Sequence, residues 1–182
     1  MSKKMSVYRL TTIALMTAIL CVLAPLSVPI GPVPISLATF VLYLFVYIFG
    51  AGMSTASVAL YLLIGLIGIP VFSGYTAGVA RLAGPTGGFL VGYLIVAVVG
   101  GLILDKIKRN TLMGIVAFLI STILLYALGT VWYMALLGGT IMHAVMVCTA
   151  PFIVVDIIKM VAAAVVGTII RKLLVRAGVI EI

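Results

Sequence analysis

Long apolar runs, broken by short clusters of glycine, proline and charge, set the pattern of this chain. Between Arg9 and Arg81 stand 71 residues without a charged side chain. A bilayer-crossing helix needs about 20 predominantly apolar residues, so several fit in that interval. The first predicted helix covers Tyr8–Ala24 and stops at PLSVPIGPVPIS, where prolines 25, 29, 32 and 34 forbid a continuing helix and dictate an extended loop. A second, Leu37–Phe49, stops at GAGMS, and a third, Thr55–Ile67, stops at GIP. Val71–Gly88 is glycine-rich, carries Arg81 and reads as a long ordered loop. The fourth, fifth and sixth helices cover Phe89–Leu104, Thr111–Leu128 and Phe152–Leu174.

The segment WYMALLGGTIMHAVMVC, residues 132–148, is long enough for a seventh span, and charge decides against it. Cytoplasmic loops carry the excess of lysine and arginine. With six spans and both termini inside, nine of the eleven basic residues fall on the cytoplasmic side: Lys3, Lys4, Arg9, Lys106, Lys108, Arg109, Arg171, Lys172 and Arg176. A seventh span carries RKLLVR, residues 171–176, to the wrong side, so 132–148 is expected as a partly buried surface helix on the outer face. Trp132 and Tyr133 suit an interfacial position. The expected architecture is an all-α integral membrane protein with six transmembrane helices and long outer loops. It is expected to form a single transmembrane domain over 1–182, multi-pass in the cell membrane with the lipid bilayer as its solvent.

Composition agrees with this pattern. Hydrophobic residues make up 65% of the chain and charged residues 8%, with a mean hydropathy of +1.47; soluble domains carry about a quarter charged residues. The N-terminal Met-Ser-Lys-Lys is not followed by a short apolar core, cleavage site and polar mature domain, so no removable signal peptide is expected. The net charge of +8 is topological, because the basic residues show no nucleic-acid-binding pattern. Cys21 and Cys148 sit in apolar context without metal-like spacing and read as small hydrophobes. His143 is the sole histidine and has no partners for zinc or for nucleophilic catalysis. No Walker A sequence occurs.

Two basic residues, Arg81 and Lys159, fall outside the cytoplasmic set and converge on the outer side with Asp156. Asp156 and Lys159 share a helix face at i and i+3. They either neutralise each other or offer an acceptor and a donor to a small polar ligand. An ionisable residue inside a membrane helix costs about 2.5–3.5 kcal/mol on insertion scales and marks a functional site by default. Arg81 is either a solvated loop residue or the cap of a pocket that meets an anion, which guanidinium geometry suits. GPTGG, residues 84–88, is either a tight turn into helix four or a place where backbone amides approach a ligand. Ala14 and Ala18, four apart in ALMTA, form a small-residue face open to another helix.

ALMTA in helix one, the proline-rich first loop, GPTGGFLVGY entering helix four and PFIVVDIIK entering helix six together resemble the biotin-specific S components, the BioY family, of energy-coupling factor transporters. The resemblance covers nearly the whole chain. It implies a six-helix protein, not an enzyme, that captures biotin from the outer side and needs no cofactor. It further implies association with a transmembrane coupling subunit and two cytoplasmic ATPases. Ala14 and Ala18 then dock on the coupling subunit. Asp156, Lys159, Gly84, Thr86, Gly87 and Gly88 become ligand contacts, with Asp156 accepting from a ureido N–H and Lys159 donating to the ureido carbonyl or the carboxylate. Arg81 is the candidate for the carboxylate end, and Tyr43, Phe89 and Tyr93 for the apolar walls. Two departures stand out: Val154 and Val155 where the family often has Pro-Gly, and Phe89 where it commonly has tyrosine. The alternative is a self-sufficient secondary transporter or channel for a small polar or anionic solute. Such proteins usually show internal repeats, and none is evident here.

Overall fold

A computed structural model of the chain describes residues 7–28, 33–107 and 109–180. Pro29 and Pro32 of the first loop, and Lys3, Lys4 and Lys108 of the charge pattern, lie outside the described residues. The elements in order are α1 (Val7–Leu23), β1 (Ser27–Val28), β2 (Ile35–Ser36), α2 (Ala38–Leu66), α3 (Val79–Ala83), α4 (Gly87–Ile95), α5 (Gly101–Lys106), α6 (Thr111–Leu137), α7 (Ile141–Cys148) and α8 (Ala150–Arg176). A π-helical turn, Val96–Gly100, joins α4 to α5 in one rod. Among the described residues four helices are long and apolar enough to cross a membrane, namely α2, the rod Gly87–Lys106, α6 and α8, and α1 is a shorter apolar helix. Helices satisfy their own backbone groups, which hydrocarbon surroundings require.

One residue divides α2 into two arms. Gly50 has φ 77° and ψ −168°, a region essentially reserved for glycine. The first arm starts level with the C-terminal end of α1, where Ser36 Oγ donates to the Ala24 carbonyl (2.7 Å). The second starts near the other end of α1, where Gly52 faces the Arg9 guanidinium, and then runs alongside α1, with Ser57 Oγ donating to the Ile13 carbonyl (3.3 Å). The chain therefore reverses at Gly50. The sequence pattern placed a longer break there, over 50–54; helix resumes at once because charged groups cap both cut ends. Asp105 Oδ2 accepts from Ala51 N (3.0 Å), while Arg109 donates to the carbonyls of Tyr47 (2.9 Å) and Ile48 (3.0 Å) and is paired with Asp105. Arg171 also donates to the Ile48 carbonyl. Helix ends leave such groups orphaned, and charge-assisted bonds satisfy them strongly.

A second correction concerns residues 132–148. The fifth helix does not end at Leu128 but continues to Leu137, taking Trp132 and Tyr133 with it, and ends where Gly138 turns to φ 72°. Only Ile141–Cys148 forms a separate short helix. Two contacts hold the extra turns: the Phe89 ring occupies the space that a side chain at Gly129 would fill, and Trp132 Nε1 donates to the Gly84 carbonyl (3.0 Å). The long loop after α2 is ordered by Phe72, fully buried with its ring 5.5 Å from that of Tyr61 in an edge-on packing. The first loop contains the β1–β2 hairpin, with Ser27 opposite Ser36 and Val28 opposite Ile35.

A Cβ at Gly50 overlaps the Asp105 carboxylate, whereas one at Gly68, also at positive φ (105°), meets nothing within 4 Å. Gly50→Ala is therefore expected to lower stability by about 1–3 kcal/mol from backbone strain alone, with the loss of the Asp105 cap added to that. Gly68→Ala carries the strain without the clash and is expected to lose less. Unfolding midpoints in detergent measure the difference.

Candidate ligand-binding site

Hydroxyl groups recur every fourth residue on two helices and face each other. On α2 they belong to Thr39, Tyr43 and Tyr47; on α6 to Thr122, Tyr126 and Thr130. Residues four apart share a helix face, so each set is a polar stripe on an otherwise apolar helix. Tyr43 Oη and Thr122 Oγ1 bond across the gap (2.6 Å), Tyr47 Oη reaches Thr168 Oγ1 on α8 (2.7 Å), and Thr130 Oγ1 meets Thr149 Oγ1 (3.1 Å). The two members left over, Thr39 and Tyr126, converge on Asp156.

Asp156 is 5% exposed. Its Oδ2 accepts from Tyr126 Oη (2.6 Å), and its Oδ1 accepts from Thr39 Oγ1 (3.3 Å) and Lys159 Nζ (3.1 Å). Lys159 Nζ also donates to the Ser36 carbonyl (2.9 Å) and to Thr39 Oγ1 (3.0 Å). One carboxylate thus gathers α2, α6 and α8, and the lysine extends the network to β2. α8 begins at Ala150, with Pro151 in its first turn, two residues before the predicted start. Val154, on the helix face opposite the network, is exposed.

The network opens on a small cavity, about 40 Å³, whose walls include Val33, Pro34, Phe89, Tyr93, Tyr126 and Phe152 besides Asp156 and Lys159. A second cavity of about 30 Å³ is lined by Ser73, Arg81, Thr86 and Leu90 and by the same Val33, Pro34, Phe89 and Tyr93. Those four shared residues are the partition between two polar poles, Asp156 with Lys159 on one side and Arg81 with Thr86 on the other. Thr86, in the lining of the second cavity, has an Oγ1 that is buried without a hydrogen-bond partner among the described residues, as are Ser54 Oγ and Tyr61 Oη elsewhere.

Of the residues singled out in the sequence, Asp156, Lys159, Arg81, Thr86, Phe89 and Tyr93 line this pair of cavities. Tyr43 does not: it is fully buried, its ring tilted by 32° against that of Phe118 at 4.8 Å, and it is bonded to Thr122. Gly84, Gly87 and Gly88 also stand outside the lining. Their close approaches are to the protein itself, since a Cβ at Gly87 overlaps the Leu82 carbonyl and one at Gly88 overlaps Trp132. GPTGG is the joint that seats α4 against the preceding loop and α6, and it delivers Thr86 and Phe89 to the cavities. His143 is exposed on α7, and Cys148 lines the Asp156 cavity as a small buried wall. Ala14 and Ala18 lie on the exposed face of α1.

Sequence reasoning missed Thr39, Tyr126 and Phe152. The signal for the first two was present in the four-residue spacing of hydroxyls; Phe152 carries none beyond its place one turn before Asp156. Two larger crevices, about 550 and 390 Å³, lie at the opposite end of the molecule beside Gly50. Their charged linings are Arg9, Arg109 and Arg171 in one and Arg109, Arg171, Lys172 and Arg176 in the other. Among the described residues they supply cations without a carboxylate, whereas the smaller pair combines both kinds of group with aromatic walls, as ligand pockets do.

Fold and site describe a helical membrane protein whose small cavities combine charged groups with aromatic walls. The comparisons with known proteins agree. The BioY family model matches residues 1–176, and the chain belongs to the BioY family. It is 38% identical over 167 residues to the biotin transporter BioY2 of Lactococcus lactis subsp. cremoris, covering 91% of this chain and 92% of that one. It is 37% identical over 157 residues to the biotin transporter BioY of Thermotoga maritima, covering 86% and 92%. A crystal structure of the S component for biotin from an ECF-type ABC transporter superposes with a TM-score of 0.85 at 29% identity, covering 94% of this chain and 95% of that one. These relatives are transporters, not enzymes, and the chain is a multi-pass membrane protein.

Breaking a buried pair by removing one partner costs about 3–5 kcal/mol, while replacing both by apolar groups is far milder. Lys159→Met alone is therefore expected to lower the unfolding midpoint more than Asp156→Leu combined with Lys159→Met. Denaturant titration of the detergent-solubilised variants measures the order.

Proposed function

We propose that this chain is the biotin-binding S component of an ATP-driven vitamin importer of the energy-coupling factor type. The observation that carries the reading is the pair of polar poles separated by Phe89 and Tyr93, together with membership of a family whose relatives are biotin transporters. Biotin has a neutral ureido group at one end and an anionic carboxylate at the other. Asp156 accepts from a ureido N–H, Lys159 donates to the ureido carbonyl, and Arg81 with Thr86 receives the carboxylate. The aromatic wall of Phe89 and Tyr93 covers the bicyclic ring between them.

Ligand pockets span about 300–1,000 Å³, so cavities of about 40 and 30 Å³ need the partition carrying Val33 and Pro34 to withdraw. Lys159 then exchanges the Ser36 carbonyl for the ligand. The whole chain forms one binding domain with six spans: α1, the two arms of α2, the rod Gly87–Lys106, α6 and α8. The reversal at Gly50 and the basic residues gathered around it support a cytoplasmic placement of that end and of both termini in the cell membrane. The site then faces outward. The exposed face of Ala14 and Ala18 meets a transmembrane coupling subunit, and two ATPase subunits drive release inside. No cofactor takes part.

Calorimetry on the solubilised chain tests this. Biotin is expected to bind tightly to the wild type and at least tenfold more weakly to Asp156→Asn and Lys159→Ala, since hydrogen bonds to charged groups contribute about 1.5–3 kcal/mol. Absence of biotin binding contradicts the reading, and biotin accumulation by the chain alone without ATPase subunits favours the secondary-transporter alternative.

A further inference from the structure

Counting the hydrogen-bonding capacity of the Asp156–Lys159 network shows where it is still open. An ammonium group has three donors and no acceptor. Those of Lys159 are taken by the Ser36 carbonyl, Thr39 Oγ1 and Asp156 Oδ1, at 2.9, 3.0 and 3.1 Å. An ionised carboxylate has about four lone-pair sites on its two oxygens. Thr39 and Lys159 occupy Oδ1, and Tyr126 Oη occupies one site on Oδ2 at 2.6 Å. The site left open is the second lone pair of Oδ2, on the oxygen that Tyr126 holds.

The ring of Tyr126 has a second boundary. Besides lining the Asp156 cavity, it borders an apolar groove of about 160 Å³ between α6 and α8 with Leu119, Ile123, Ile153 and Ile157, all four of which are exposed on the outer surface of the helices. The ring is therefore the wall between the polar cavity and the surface that faces lipid, while the hydroxyl reaches past it to the carboxylate. Removing the hydroxyl alone leaves the wall in place.

We propose that Tyr126 is a positioning residue for ligand recognition: its hydroxyl pins Oδ2 of Asp156 so that the remaining lone pair faces the cavity and reads one N–H of the ligand. This rests on the biotin reading above, in which that N–H belongs to the ureido group. Without the tyrosine hydroxyl, Oδ2 is tied by nothing and the carboxylate is held through Oδ1 alone, so that coupled rotations about Cα–Cβ and Cβ–Cγ swing Oδ2 while Oδ1 keeps its bonds to Thr39 and Lys159. The ligand N–H then meets an acceptor whose direction is no longer set.

The test measures affinity of the wild type and Tyr126→Phe for biotin and for its two carbamate analogues, in each of which oxygen replaces one ureido N–H without added bulk. Tyr126→Phe is expected to bind biotin about ten- to a hundredfold more weakly. It is expected to bind one analogue, the one lacking the N–H that Asp156 reads, within about threefold of the wild type. The unfolding midpoints report whether the variant is folded. Unchanged biotin affinity in the folded variant overturns the proposal, and so does an equal loss on all three ligands, which a merely structural tyrosine produces. Should the variant unfold, 4-aminophenylalanine in place of Tyr126, whose amino group stands where the hydroxyl does and donates, is expected to hold biotin affinity within tenfold of the wild type; failure to do so overturns the proposal. A wild type that does not bind biotin at all overturns the biotin reading itself, before any variant is compared, and this inference with it.

Discussion

A single buried carboxylate organises the loop end of this protein. Charge inside a membrane protein is expensive unless it is paired and hydrogen-bonded, and Asp156 is both, through donors from three different helices. Each donor depends on the position of its own helix. Thr39 comes from the first arm of α2, Tyr126 from the middle of α6, and Lys159 from one turn further along α8. The carboxylate thereby sets the mutual register of three helices, and Lys159 carries that register to β2 through the Ser36 carbonyl. The cavities exist beside it because Phe89 and Tyr93, presented by α4, stand off from the network instead of filling it.

The opposite end is organised by the same physics with the signs exchanged. There the groups in need of partners are the backbone carbonyls and amide exposed at the Gly50 reversal, and side chains of Asp105, Arg109 and Arg171 supply them. The charges bonded there hold backbone groups that the reversal exposes. Those at the loop end line a cavity with aromatic walls, and one lone pair of Asp156 stays open. A carboxylate and a cation together beside aromatic walls, more than the size of a crevice, distinguish the candidate site from the structural joint.

The helical membrane architecture and the charged residues that line the two cavities were legible in the sequence because rare residues in an apolar chain stand out: Asp156, Lys159 and Arg81 are conspicuous at a glance. Helix ends were legible where proline forced them and less so where glycine only permitted them. Gly129 reads as a breaker but serves as the seat for Phe89, so α6 runs on to Leu137. The GPTGG glycines were visible as close approaches, but the sequence does not say what approaches, and the structure answers with Leu82 and Trp132. Tyr43 and Tyr126 are chemically alike and each sits in a hydroxyl stripe. Only the packing shows that Tyr43 is spent on Thr122 while Tyr126 reaches Asp156.

In the proposed binding mode one ligand spans both polar poles across the Phe89 and Tyr93 wall. A crystal structure of the chain grown with biotin tests this. The ureido group is expected within hydrogen-bond distance of Asp156 and the carboxylate at Arg81 and Thr86, with Val33 and Pro34 displaced from between them. Biotin found instead in the arginine-lined crevices beside Gly50, or held at one pole with the partition still in place, contradicts it.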